Sequence, residues 1–247
     1  MATHLALNFQ KSGYEVTCIY SRSENSAERL ADRMGTMGTG SIKEVPREAG
    51  YYLLCVPDTV VPEVSRQFAG YRGIWLHCAG ALPLDVLSDH ERYGVLYPLQ
   101  TFSRDHAPSL SDTPFLVEGC SGEVTGMIRQ LAGSVSASVY LMDTPSRLAV
   151  HLAGVFANNF TNHMVHIAQQ ILEDQGIDRQ LITPILNETF QKLSRMKAAE
   201  AQTGPATRND RQTMDRHLEM LKVYPEWEKL YTFISRDIRG NPREKKE

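Results

Sequence analysis

Residues 51–56 read YYLLCV, a continuous apolar and aromatic run with no polar alternation. A run this short and unbroken marks a strand covered on both faces, as in a parallel sheet with a helix layer on each side. Two further runs follow, IWLH at 74–77 and YGVLY at 93–97. A helix is predicted between the first two, over 60–68. Upstream, residues 2–11 read as a helix with apolar Leu5, Leu7 and Phe9, stopped by Ser12-Gly13. It leads into a β-rich run at 15–20 (EVTCIY). A second helix carries Ala27, Leu30, Ala31 and Met34, with Ser23 or Ser26 as its cap. Downstream, strands at 114–118 and 135–141 flank a helix at 122–132. This alternation predicts βαβ units, a mostly parallel sheet and the α/β class.

The character changes at Asp143-Thr144-Pro145. From there the sequence reads as helices over 144–172, 177–197, 210–222 and 226–238, with a Thr203-Gly204-Pro205 break between the second and third. The charged tail from Arg239 is expected to fray. Two domains are predicted, 1–143 built on the sheet and 144–247 all-helical.

The 247 residues carry 26 Lys+Arg against 29 Asp+Glu, a net charge of −3. With a pI of about 6.3 there is no electrostatic case for nucleic acid as a partner. No apolar run approaches the ~20 residues of a membrane span, and no basic-then-apolar leader opens the sequence. Cys18, Cys55, Cys78 and Cys120 are scattered without a C-x-x-C. That pattern fits reduced thiols in a cytoplasmic protein, with neither a disulfide frame nor a zinc site.

Sheets of this kind bind ligands at the carboxyl ends of their strands. A dinucleotide fold also places G-x-G-x-x-G after its first strand, and that motif is absent. Gly35, Gly38 and Gly40 are spaced G-x-x-G-x-G and follow a helix, so they read as a helix end and a loop. Helix 2–11 running into strand 15–20 is the later half of a βαβ unit. The first strand of such a sheet is central. The expectation is that a strand ending in a glycine turn lies upstream of Met1.

Tyr20-Ser21-Arg22-Ser23 closes the strand at 15–20. A carboxylate at this point grips the 2′-hydroxyl of NAD. A guanidinium between two hydroxyls suits a 2′-phosphate, which points to NADP(H). The alternative is a helix cap at Ser23 beside a solvated Arg22. Val56-Pro57 ends the strand at 51–56, His77-Cys78-Ala79-Gly80 ends the next, and Pro98 and Gln100 follow the third. These ends line a crevice or are loop punctuation. In the long helix, His151, Asn158, Asn159, Asn162, His163 and His166 interrupt an apolar segment. At 100° per residue, Asn158 and Asn162 fall within about 20° of His151, and Asn159 near about 80°. A polar stripe facing a core must be satisfied or line a cavity. Imidazole suits proton exchange near neutral pH, and the amides suit orienting a carbonyl, imine or carboxylate. The alternative is a solvated or structural network. His163 and His166 are spaced to share a metal, but no acid accompanies them on that face, so no metal is expected. The polar loop with Thr203 and Arg208 is either an anion contact or a helix connection capped by Asp210.

Taken in order, ATHLAL (2–7), IYSRS (19–23), HCAG (77–80), RYGVLYPLQTFS (92–103), HLAGVFANNFTNH (151–163) and AQTGPATRND (201–210) resemble one family. It is the Rossmann-like NADP-dependent oxidoreductases with a C-terminal helical domain of unknown function. These are related in fold to pyrroline-5-carboxylate reductase and 6-phosphogluconate dehydrogenase. The resemblance implies an N-terminal NADP(H)-binding domain and a helical domain that builds a homodimer. It implies that Ser21, Arg22 and Ser23 face the adenosine phosphate, with Tyr20 among the cofactor-binding residues. It implies that Val56, Pro57, His77, Ala79 and Gly80 line the cofactor crevice. The catalytic lysine of hydroxyacid dehydrogenase relatives has no match here, and His151 occupies the comparable helix.

The sequence is therefore expected to encode an NADP(H)-dependent oxidoreductase acting on a small polar metabolite. His151 would exchange the proton, with Asn159 and Asn162 positioning the substrate and Pro98, Gln100, Thr203 and Arg208 binding it. The competing readings are a non-catalytic dinucleotide sensor or dimerising scaffold, and an inactive truncated product.

Overall fold

A computed structural model describes residues 1–102 and 109–240. The chain divides into two compact units, Met1–Ala157 and Asn158–Glu247. Most of the tail beyond Arg239 lies outside the described residues, as does Ser103.

In the first unit, helix α1 (Ala2–Lys11) precedes strand β1 (Cys18–Tyr20), helix α2 (Glu24–Met34) and strand β2 (Met37–Thr39). Strands β1 and β2 pair in parallel as their own ladder. Strand β2 is absent from the sequence reading, which gave 35–40 only a glycine turn. Those glycines are what admit it. Gly35, at φ 65°, ends α2 in the left-handed conformation. A Cβ at Gly38 would lie 2.8 Å from the Glu28 backbone, so only glycine lets β2 pack under α2.

The main sheet holds β3 (Glu48–Leu54), β4 (Arg72–His77), β5 (Tyr93–Pro98), β6 (Phe115–Gly119) and β7 (Val139–Leu141), side by side in that order. All neighbours are parallel except β5 and β6, which are joined antiparallel. Helix α3 (Val61–Gln67) follows β3, and α4 (Gly122–Gly133) links β6 to β7. Strand period two divides β4 between the two faces. Ile74 and Leu76 join Leu5 and Phe9 of α1 and Val124, Ile128 and Leu131 of α4 in one core cluster. Trp75 lies in the other, with Phe68 and Leu87, and stacks against Tyr52 and His90 at 4.2 Å each. Each fully buried Leu or Ile contributes about 1.5–3 kcal/mol.

Helix α5 (Thr144–Gly154) is capped by Asp143, which accepts from the Ser146 amide. It is fixed to the sheet by one buried cation. Arg147 is fully buried and donates to the Glu118 carboxylate of β6, to the Leu82 carbonyl after β4, and to Thr144 Oγ1 at 3.2 Å. Glu118 also accepts from the Thr144 amide (3.1 Å) and hydroxyl (2.9 Å). These bonds tie α5 to the sheet of the first unit, which runs to Ala157.

The helix expected over 144–172 is interrupted. A π-helical turn spans Val155–Phe160 between α5 and α6 (Thr161–Asp174). A π turn holds more residues than an α turn, so the 100° arithmetic that put His151 and the asparagines on one stripe does not carry across it. In the second unit α6 precedes α7 (Thr183–Leu193), α8 (Ala198–Ala201), α9 (Arg211–Leu221) and α10 (Pro225–Gly240). Asp210 caps α9 by accepting from the Thr213 amide at 3.1 Å, and His217 meets the Tyr231 hydroxyl at 2.9 Å. Among the described residues the buried apolar set of this unit is small: Ile167, Ala206, Met214 and Leu221. Leu181, Ile185, Phe190, Val223 and Phe233 are exposed. Among the described residues no helix is long and apolar enough to cross a membrane.

Two outcomes follow from the buried charges of the first unit. Arg147→Ala strands the Glu118 carboxylate and is expected to cost about 3–5 kcal/mol in urea unfolding. Arg147→Met combined with Glu118→Gln is expected to recover part of that loss, and equal loss in both variants would remove the ion pair as the cause. His77 is fully buried, and its pKa is lowered to about 4 by burial and then by the Arg147 charge, with the Pro83 carbonyl opposing. Its Nε2 lacks a well-formed hydrogen bond. An unfolded histidine takes its proton near 6.5. Between pH 6.5 and about 4 the unfolded chain therefore binds the extra proton. This contribution is intact above pH 6.5 and is lost as the pH falls, reaching about 3 kcal/mol below pH 4. Thermal melts across that range are expected to show the loss, and His77→Gln to flatten it.

Candidate active site at the strand ends

Because β3, β4 and β5 run parallel, their carboxyl ends emerge on one edge of the sheet. Leu54 pairs with His77, and His77 with Val95. Cys55-Val56-Pro57, Cys78-Ala79-Gly80 and Tyr97-Pro98 are therefore neighbouring tips. Val56 is half-buried and Pro57 exposed, while Ala79 and Gly80 are buried. The His77 side chain is enclosed on the Trp75 face, and its Nδ1 accepts from the Ala79 amide at 3.2 Å. What His77 turns toward the tip is main chain; its imidazole fixes the turn.

His151 of α5 reaches this edge. Its Nδ1 lies 3.1 Å from the Tyr97 hydroxyl, with the rings edge to face at 5.9 Å. Gly80 sits beneath both. A Cβ there would fall 2.5 Å from His151 Nδ1 and 2.9 Å from Tyr97 Cζ. No other residue fits without displacing the pair. Burial, and then the Asp58 charge, push the Tyr97 hydroxyl above its ordinary pKa. Tyr97 thus stays a neutral phenol able to donate to or accept from the imidazole. His151 is set by Arg147, one helical turn earlier on the same face.

A second polar cluster closes β1. Ser21 continues the β1–β2 ladder, its amide bonding the Thr39 carbonyl at 3.1 Å. Ser21 Oγ accepts from the Ser23 amide at 3.2 Å, and Ser26 Oγ donates to Ser23 Oγ at 3.0 Å. Arg29 donates to Ser26 Oγ at 3.4 Å. Ser23, Asn25, Ser26, Glu28, Arg29 and Asp32 line an open groove of about 580 Å³. Arg22 is exposed beside it, and Tyr20 stacks edge to face on Phe68 at 5.4 Å. Two guanidinium groups, Arg22 and Arg29, and the hydroxyls of Ser21, Ser23 and Ser26 stand here, with the carboxylates of Glu28 and Asp32 on the same groove.

The remaining predicted residues divide between the units. Pro98 is buried in the first unit, and Gln100 is exposed there, donating to Thr113 Oγ1 at 3.5 Å. Asn158, Asn159 and Asn162 are exposed in the second unit, not buried as a polar ridge. Thr203 and Arg208 are exposed in the loop that Asp210 caps. His163 and His166 are exposed, with ring centroids 6.1 Å apart. No group of three metal-binding side chains occurs among the described residues. Sequence reasoning missed Tyr97 as the partner of His151, and Ser26 and Arg29 as neighbours of Ser23. The helical spacing 23, 26, 29 was there to find. The contact from Tyr97 to His151 spans 54 residues and leaves no local trace.

Comparison with known proteins agrees with this architecture. A Rossmann-like domain matches residues 1–101, and the domain of unknown function DUF2520 matches 113–238. No curated protein matches the chain. The structure of a candidate NADP oxidoreductase from Bacteroides fragilis is 34% identical, covers 96% of this chain and 93% of its own, and superposes with a TM-score of 0.91. A Thermotoga maritima protein (21% identity, 94% and 95% coverage, TM-score 0.77) has the same fold. So does 1-pyrroline-5-carboxylate reductase from Streptococcus pyogenes (12%, 97% and 94%, TM-score 0.63). With more than half of its length matched by one family model and a third of its residues shared with a near-full-length relative, the chain belongs to the DUF2520 family, whose helical domain here follows a Rossmann-like domain.

Proposed function

We propose that this protein is an NADP(H)-dependent oxidoreductase that moves a hydride to or from a small polar metabolite. The observation that carries the reading is the Tyr97–His151 pair over Gly80, at the strand ends where Rossmann sheets take their dinucleotides. The name of the Bacteroides fragilis relative supports it.

The cofactor supplies or accepts the hydride. The rest of the work falls to the chain. Arg22, Arg29 and the hydroxyls of Ser21, Ser23 and Ser26 hold the 2′-phosphate, which sets the preference for NADP(H) over NAD(H). The main chain at Val56-Pro57 and Ala79-Gly80 approaches the dinucleotide closely, since Gly80 has no side chain. His151 exchanges a proton with the substrate carbonyl or imine, and Tyr97 holds the imidazole at Nδ1 so that Nε2 is turned to the substrate. Gln100 is assigned to substrate as a hydrogen-bonding group, with Pro98 shaping the strand tip. The exposed apolar side chains of the second unit, Leu181, Ile185 and Val223 among them, are assigned to a second copy of the chain; their exposure is costly in water.

Fluorescence titration tests the cofactor. Arg22→Ala and Arg29→Ala are each expected to weaken NADPH binding about tenfold, the worth of one charge-assisted hydrogen bond, and to leave NADH binding unchanged. Equal loss for both cofactors would remove these residues from phosphate recognition. NADPH oxidation against a panel of small ketones and imines tests the chemistry. His151→Ala is expected to lower kcat by about 10²–10⁴ with NADPH affinity retained. A protein that binds NADPH tightly and turns over nothing in the panel would be a sensor instead.

A further inference from the structure

Cys55 and Cys78 follow the paired residues Leu54 and His77 on adjacent parallel strands, β3 and β4. Both belong to the core cluster beneath α1, with Leu53, Leu76 and Leu5. Their sulfurs are 3.8 Å apart. Cys78 is buried and Cys55 is half-buried at the strand edge. Adjacent strands lie about 4.8 Å apart, inside the roughly 4.4–6.8 Å that a disulfide spans between Cα atoms.

We propose that Cys55 and Cys78 form an oxidative modification site, a dithiol that hydroperoxides convert to a reversible disulfide. Cys55 is the attacking sulfur. It is the half-buried member of the pair, whereas Cys78 is enclosed. The attacking thiolate is the reactive form. In the first step Cys55 sulfur attacks a peroxide oxygen: an S–O bond forms, the O–O bond breaks, and the departing oxygen takes the proton Cys55 gave up. The product is a sulfenic acid. In the second step Cys78 sulfur attacks Cys55 sulfur: the S–S bond forms, the S–O bond breaks, and hydroxide leaves with the Cys78 proton as water. The two thiols lose two electrons and two protons, and the peroxide gains both. An external dithiol reverses the change by exchange.

Cys55 directly precedes Val56-Pro57, and Cys78 precedes Ala79-Gly80. If those tips hold NADP(H), as proposed above, the bound dinucleotide lies over the approach to Cys55 and shields it. This second part rests on that reading; the disulfide does not.

The test treats the full chain with hydrogen peroxide, with and without saturating NADPH, and maps tryptic peptides. Residues 48–66 and 73–92 each carry one of the two cysteines and no internal Lys or Arg. The expected product joins these peptides with a loss of about 2 Da, is reversed by dithiothreitol, and forms severalfold more slowly with NADPH. Cys78→Ser is expected to leave a Cys55 sulfenic acid that dimedone traps, and Cys55→Ser to leave Cys78 unreacted. Unlinked peptides after peroxide, or Cys55 driven to sulfinic acid alone, overturn the disulfide whatever NADPH does. Linkage at the same rate with and without NADPH upholds the disulfide and overturns the placement of the dinucleotide.

Discussion

The guanidinium of Arg147 has no contact with water, and the first unit is organised around that fact. A cation taken out of solvent needs a carboxylate and further acceptors to be tolerable. Glu118 comes from β6, the Leu82 carbonyl from the segment after β4, and Thr144 from the start of α5. Three parts of the chain distant in sequence are brought to one point. One turn further along α5, His151 then arrives over Gly80 and against Tyr97. The charge also reaches His77, where with burial it keeps the imidazole neutral and leaves it as an acceptor for the turn into Ala79.

Gly80 shows how little tolerance that arrangement has. Three groups, a glycine at the end of β4, a phenol at the end of β5 and an imidazole on α5, share a space that one extra carbon would fill. The chemistry proposed for the site depends on this crowding, since a hydrogen bond between Tyr97 and His151 fixes the ring only if the ring cannot swing away. The thiol pair beside it has the same origin: parallel register sets residues of like position on neighbouring strands side by side.

The sheet was legible because its signal is local. YYLLCV and IWLH declare strands covered on both faces, and β3 and β4 lie there with core clusters on either side. Strand β2 was not legible, because three residues with a central glycine carry no periodicity and owe their conformation to packing under α2. The π turn was hidden for a related reason. The asparagines of VFANNF mark a polar interruption, but the added residue per turn is a backbone event without a sequence mark. For the candidate site, the strand tips follow from the strand signals, and His151 stands out as a polar interruption of an apolar helix. Their partners could not be read in this way: nothing local marks Arg147 as buried, and its burial depends on a glutamate 29 positions earlier.

The aromatic stacking in the core has an optical consequence. The chain has two indoles. Trp75 is sandwiched by Tyr52 and His90 in the sheet-bearing unit, and Trp227 stacks on Tyr224 at 4.3 Å in the helical one. Each unit thus contains its own single emitter in a different ring environment, so replacing either indole leaves a chain whose ultraviolet emission follows the opening of one half alone.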